Sequence, residues 1–154
     1  MDFRLIKLKE TTVVGVTRKF EGSAAERFEQ VGVMWAIDCD FVPGKICNGF
    51  DGVWYGIWDR GTYRIARDAE DTDAQELESY TIPAGTYAAF TTQKGLTAGE
   101  VIPELRAQIF DSWLPDSGYV QKEDLEIEVY HLWTDKEERR KNRYYEIWIP
   151  VEKK

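Results

Sequence analysis

Ser23-Ala24-Ala25-Glu26 and Thr97-Ala98-Gly99-Glu100 lie 74 residues apart and share one pattern: a hydroxyl residue followed at the third place by Glu. That spacing lets the hydroxyl accept from the Glu backbone N–H while the Glu carboxylate reaches back, so each is a capping box opening a helix. An extended stretch precedes each one, Thr12 to Phe20 and Thr86 to Lys94, with Val14 and Ala88 again 74 apart. After each box, apolar residues recur at the helical period: Phe28, Val31 and Trp35 in the first half, and Ile102, Leu105, Ile109 and Trp113 in the second. Pro103 lies beyond a first turn counted from Thr97, so the second helix is expected to begin a few residues later or to bend there.

Two strands are expected after each helix. In the first half they are Val53–Trp58 and Tyr63–Arg67, joined by the turn Asp59-Arg60-Gly61-Thr62. In the second they are Leu125–Trp133 and the terminal Tyr144–Val151, joined by the charged stretch 134–142, read as a solvated loop or a lid. Residues 68–78 carry six acids in eleven positions but lack the bend glycine and ligand spacing of a calcium loop, so they form an acidic connector. The fold class is α+β: duplicated strand-strand-helix-strand-strand repeats, about 1–70 and about 79–154, related by a pseudo-twofold axis within one domain spanning 1–154. Two small antiparallel sheets are expected, each covered by its helix. Half-domains this small cannot bury enough surface alone, so they must share an interface, and a ligand cleft is expected between them.

Composition narrows the function. The net charge of −8 argues against nucleic acid and anionic membranes as partners and weakly favours cationic ligands. No apolar run approaches the length of a membrane span, and Met1-Asp2-Phe3-Arg4 lacks the layout of a signal peptide, so cytoplasmic residence is expected. Cys39 and Cys47 make neither a disulfide framework nor a metal site, and His131 is the only histidine. No phosphate loop and no nucleophile–base pair stands out, and no metal or cofactor is expected. Six Trp, eight Tyr and seven Phe leave room for an aromatic-lined pocket beside an aromatic core.

Strand alternation places Tyr144, Glu146 and Trp148 on one face, where a carboxylate between two rings is costly to desolvate unless a cation, a reacting group or water compensates it. Leu125, Ile127 and Val129 are expected to face the helix, which turns Glu128 and Tyr130 to the same side as Glu146. Trp54, Gly56 and Trp58 share a face; the glycine leaves a gap where a planar ligand could lie, or the two Trp pack the interface between halves. Glu128 is a second acid of the site or a cross-strand partner for a basic residue. The ligand set is therefore Glu146, Trp148, Tyr144, Trp54, Trp58, Tyr130, Glu128 and Trp133, with Glu146 as acid or base if the protein is an enzyme.

Several motifs in order carry a family likeness: Trp54-Tyr55-Gly56-Ile57-Trp58, Tyr63-Arg64-Ile65-Ala66, Ile82-Pro83-Ala84-Gly85-Thr86-Tyr87, Leu125 to Tyr130, and Tyr145 to Val151. Together they resemble the GyrI-like small-molecule-binding family, also found as the effector-binding domain of AraC-type and multidrug-responsive MerR-type regulators. The resemblance implies a hydrophobic cleft between repeats and an acidic residue that meets cationic aromatic ligands, mapped here onto Glu146 and, secondarily, Glu128. It implies three modes of action: sensing or sequestering drugs and toxins, hydrolysis of cyclopropane-bearing toxins, or inhibition of DNA gyrase by direct contact. A regulator protein is a further implied partner. The chain has no room for a helix-turn-helix module, which argues against direct transcriptional control.

Overall fold

The computed structural model describes residues 1–35, 52–71, 77–133 and 135–154; Cys39, Cys47, Thr134 and the middle of the acidic connector lie outside them. Strands β1 (Arg4–Leu8) and β2 (Thr11–Lys19) lead into helix α1 (Ala24–Trp35), then β3 (Gly52–Asp59) and β4 (Thr62–Asp68). The second half repeats the order with β5 (Glu78–Ile82), β6 (Gly85–Thr91), helix α2 (Ala98–Gln108), a short β7 (Tyr119–Gln121), β8 (Leu125–Leu132), helix α3 (Lys136–Asn142) and β9 (Tyr144–Lys153).

Both capping boxes form. Thr97 caps α2 with its hydroxyl accepting from Glu100 N–H and the Glu100 carboxylate returning to Thr97 N–H at 2.8 Å. Ser23 and Glu26 exchange the same pair of bonds ahead of α1. Helix α2 starts at Ala98, not a few residues later, and runs through Pro103, which has no N–H to give the Gly99 carbonyl. Past Gln108 the helix widens into a π turn at Ile109–Trp113. The β3–β4 connection is a two-residue turn with positive φ at Arg60 (50°) and Gly61 (86°), the twist that antiparallel strands favour. The charged stretch before β9 is helical, capped by Asp135 on Glu138 N–H, rather than a loop.

Among the described residues the strands join in one nine-stranded antiparallel sheet, not two, ordered β1-β6-β9-β8-β3-β4-β2-β5, with β7 added beside β9. Repeats meet at the central β3–β8 pair. Their first strands are exchanged: β1 pairs with β6 of the other repeat, and β5 pairs with β2. Reading the order from either end gives the same succession of equivalent strands, which is the pseudo-twofold relation.

Both faces of this sheet are buried. One packs Trp54, Ile65, Phe90, Tyr145, Ile147 and Ile149 against Val31 and Met34 of α1 and Ile102, Leu105 and Ile109 of α2. The other encloses Val13, Tyr55, Ile57, Ile82, Tyr87, Leu125, Ile127 and Val129 within the curled sheet. The expected orientation of β8 is therefore reversed: Leu125, Ile127 and Val129 fill the second core, and Glu128 and Tyr130 turn toward the helices. Strand alternation fixed which residues go together; with apolar groups required on both sides, it could not fix which set meets the helices.

Candidate functional site

Between α1 and α2, over the ends of β8 and β9, opens a cleft of about 380 Å³. Phe28, Val31 and Trp35 wall one side, Ile102 and Pro103 the other, and Glu128, Tyr130 and Tyr145 floor it. Glu128 is 5% exposed, and three neutral groups donate to its carboxyl: Tyr63 Oη to Oε1 at 2.7 Å, Tyr130 Oη to Oε1 at 2.9 Å, and Trp58 Nε1 to Oε2 at 3.1 Å. Trp35 Nε1 donates in turn to Tyr63 Oη at 2.7 Å, and its ring lies 4.3 Å from that of Tyr130. A chain of hydrogen bonds thus runs from α1 through β4 to the carboxyl on β8.

Burial pushes the Glu128 carboxyl up to about 7, against the lowering effect of bonds from Tyr63, Tyr130 and Trp58. Burial and the neighbouring Glu128 raise both tyrosines well above their ordinary range, so they remain protonated donors. The gap expected at Gly56 exists, and protein fills it: a Cβ there would meet Tyr63 Oη at 2.2 Å and Glu128 Oε1 at 2.5 Å. At one end of the cleft are Arg139 and Arg143. Arg139 donates to the Trp133 carbonyl at 3.5 Å and Arg143 to that of Gly95 at 3.2 Å.

Glu146 lies on the opposite face of the sheet. Arg4 and His131 both hold it, the latter at 2.7 Å, and Trp148 Nε1 adds a bond at 3.3 Å. Burial would raise this carboxyl, but the bonds from His131, Arg4 and Trp148 outweigh it and hold the group below the usual carboxylate range. Tyr144 stacks on His131 with centroids 4.1 Å apart, on the same side. Of the expected set, then, Glu128 and Tyr130 reach the cleft and Trp58 touches Glu128 from its flank. Trp54 packs fully buried in the core, and Tyr144, Glu146, Trp148 and Trp133 are not among the residues lining the cleft.

Phe28, Trp35 and Tyr145, which line the cleft, and Tyr63, which bonds to Glu128, are not in the expected set. A signal for Tyr63 was present: the two-residue turn pairs it with Trp58, and cross-strand partners share a face. Nothing local marks Tyr145, whose position follows from the same face reversal that brings Glu128 inward.

The chain belongs to the family described as Cass2, integron-associated effector binding protein, whose pattern matches residues 4–151, in agreement with the GyrI-like resemblance. Among solved structures, it is similar to SAV2435 bound to tetraphenylphosphonium, with 20% identity and a TM-score of 0.65, over 99% of this chain and 94% of that one. The C-terminal domain of EcmrR is similar at 13% identity and TM-score 0.60, over 99% and 98% of the two chains. An integron cassette protein from the mobile metagenome of Vibrio cholerae follows at 12% and 0.58, over 97% and 95%. At these identities the likeness shows a shared fold. No curated protein matches the chain. Among the described residues no helix is long and apolar enough to cross a membrane.

Proposed function

We propose that this protein binds bulky aromatic cations in the α1–α2 cleft, with Glu128 supplying the counter-charge. The observation that carries the reading is the contrast between two buried carboxyls. Glu146 already has Arg4 and His131, whereas among the described residues every donor bonded to Glu128 is neutral, and Arg106, which acts on Glu128 electrostatically, is bonded to Glu126. Ionising a buried carboxyl without a cation is costly, and a cationic ligand at the floor removes that cost. Trp35, Tyr130 and Phe28 would add ring contacts, each worth roughly 0.5 to 2 kcal/mol when well placed against a cation. SAV2435, which shares the fold, is seen with such a cation. The site residues proposed are therefore Glu128, Tyr130, Tyr63, Trp35 and Phe28, with Trp58 positioning the carboxyl. In a cell this activity would serve to sense or sequester cationic drugs or toxins in the cytoplasm, alone or beside a regulator.

The test is a titration of tryptophan fluorescence with tetraphenylphosphonium at pH 8. Glu128→Gln is expected to lose at least tenfold in affinity and Glu146→Gln to keep the wild-type value. Equal affinities for wild type and Glu128→Gln would refute the charge role.

Hydrolysis is a second reading, favoured by a carboxyl near pH 7 beside two protonated tyrosine hydroxyls, the equipment of a general acid. Turnover of a cyclopropane-bearing substrate that Glu128→Gln abolishes would establish it.

A further inference from the structure

A second cleft, of about 310 Å³, adjoins the first and shares two of its lining residues, Phe28 and Glu128. Phe28 is 39% exposed and divides the two spaces, with Glu128 reaching both. Tyr130 lines only the first cleft; Trp58, which donates to Glu128 Oε2, lines only the second.

The chemistry differs across the divider. The first cleft is walled mostly by rings and aliphatic groups, with Arg139 and Arg143 also lining it, whereas the second is walled mostly by charge: Arg27, Arg60 and Arg106 against Asp124, Glu126 and the shared Glu128. Arg106 and Glu126 cancel one another through two parallel bonds of 2.8 Å each. If Glu128 serves the cation in the first cleft, Arg27 and Arg60 are left facing Asp124 among the residues lining the second, with Asp59 beside Arg60 outside that lining. Arg27 gives Nε to the Gly22 carbonyl, and among the described residues the Arg60 side chain, 71% exposed, makes one long 3.4 Å contact, with Asp59. Each therefore retains guanidinium donors for an acceptor.

Building on the cation-binding reading above, we infer that the ligand is a two-part molecule, an aromatic cation bearing a carboxylate arm, whose ring system fills the α1–α2 cleft while the arm passes Phe28 to meet Arg27 and Arg60.

Two dyes separate the parts. Proflavine is a flat tricyclic cation without an arm; rhodamine 110 has a similarly sized diamino tricycle with a carboxyphenyl arm. Affinities are measured at pH 8 by fluorescence for wild type, Glu128→Gln and the double variant Arg27→Ala/Arg60→Ala. The double variant is expected to lose about tenfold for rhodamine 110 and to stay within twofold for proflavine, while Glu128→Gln weakens both dyes. If proflavine binding depends on Glu128 but the arginine variant treats both dyes alike, the arm site is refuted and the cation site stands. If neither dye binds the wild type saturably, or Glu128→Gln changes neither, both proposals fall.

Discussion

Gly56 stands directly across the β3–β8 ladder from Glu128, and the side chain that Gly56 lacks is the space into which the Glu128 carboxyl and the Tyr63 hydroxyl both reach. The two repeats thus meet at one point where a missing Cβ in the first makes room for the buried acid of the second.

Gly56→Ala should therefore disrupt the site from beneath. The new methyl would lie 2.2 Å from Tyr63 Oη, the end of a stiff, fully buried ring, so neither partner can yield cheaply. Overpacking of this kind costs about 2 kcal/mol. Urea unfolding is expected to show that loss, and cation affinity should fall together with it.

The pH dependence of stability should carry the signature of Glu128. Its folded pKa, about 7, lies above the ordinary 4.5, so the folded state holds the proton more tightly than the unfolded chain. This contribution is fully present below pH 4.5 and is lost as pH rises through about 7. Between pH 4.5 and 8 the difference in unfolding free energy is expected to move in favour of Glu128→Gln, relative to wild type, by on the order of 2 to 3 kcal/mol. Calorimetry of both proteins across that range checks it. Affinity for tetraphenylphosphonium, which has no proton to lose, should rise with pH up to about 7 and then level.

Glu146 should behave in the opposite sense. Held by His131, Arg4 and Trp148, its carboxyl titrates below the usual range, so its contribution is present at neutral pH and disappears as pH falls through that lower value. Glu146→Gln is expected to cost about 1 to 3 kcal/mol at pH 7, the penalty for weakening a buried charge-assisted network. That deficit should shrink in acid, and cleft affinity should not change. A drop in affinity equal to that of Glu128→Gln would contradict the separation of the two faces.

The repeat was legible because capping boxes and helical periods are local: Ser23, Glu26, Thr97 and Glu100 do in the fold what their spacing announces. The site was legible only in part. Reading Leu125, Ile127 and Val129 as the helix-facing set assumes one buried face per strand. Here Tyr55, Ile57 and Tyr87 provide a second core on the far side, and the carboxyl nearest the helices is Glu128 rather than Glu146. The tie between Glu146 and Arg4 spans almost the whole chain and depends on β1 crossing to β6, which no local pattern encodes.

That crossing has a consequence for how the chain folds. Within residues 1–70, β2, β4 and β3 can pair among themselves, but β1 has no partner and the β3 edge, with Tyr55 and Ile57, is laid open. Within residues 79–154 the strand β8 is exposed in the same way, and β5 from the connector side is stranded. Open edges and halved cores leave each repeat with too little buried surface to offset its chain entropy. Neither fragment alone is expected to show a cooperative thermal transition, and mixing them should restore one through the β1–β6, β2–β5 and β3–β8 pairings. Cooperative melting of either fragment by itself would show that the strand exchange is dispensable for stability.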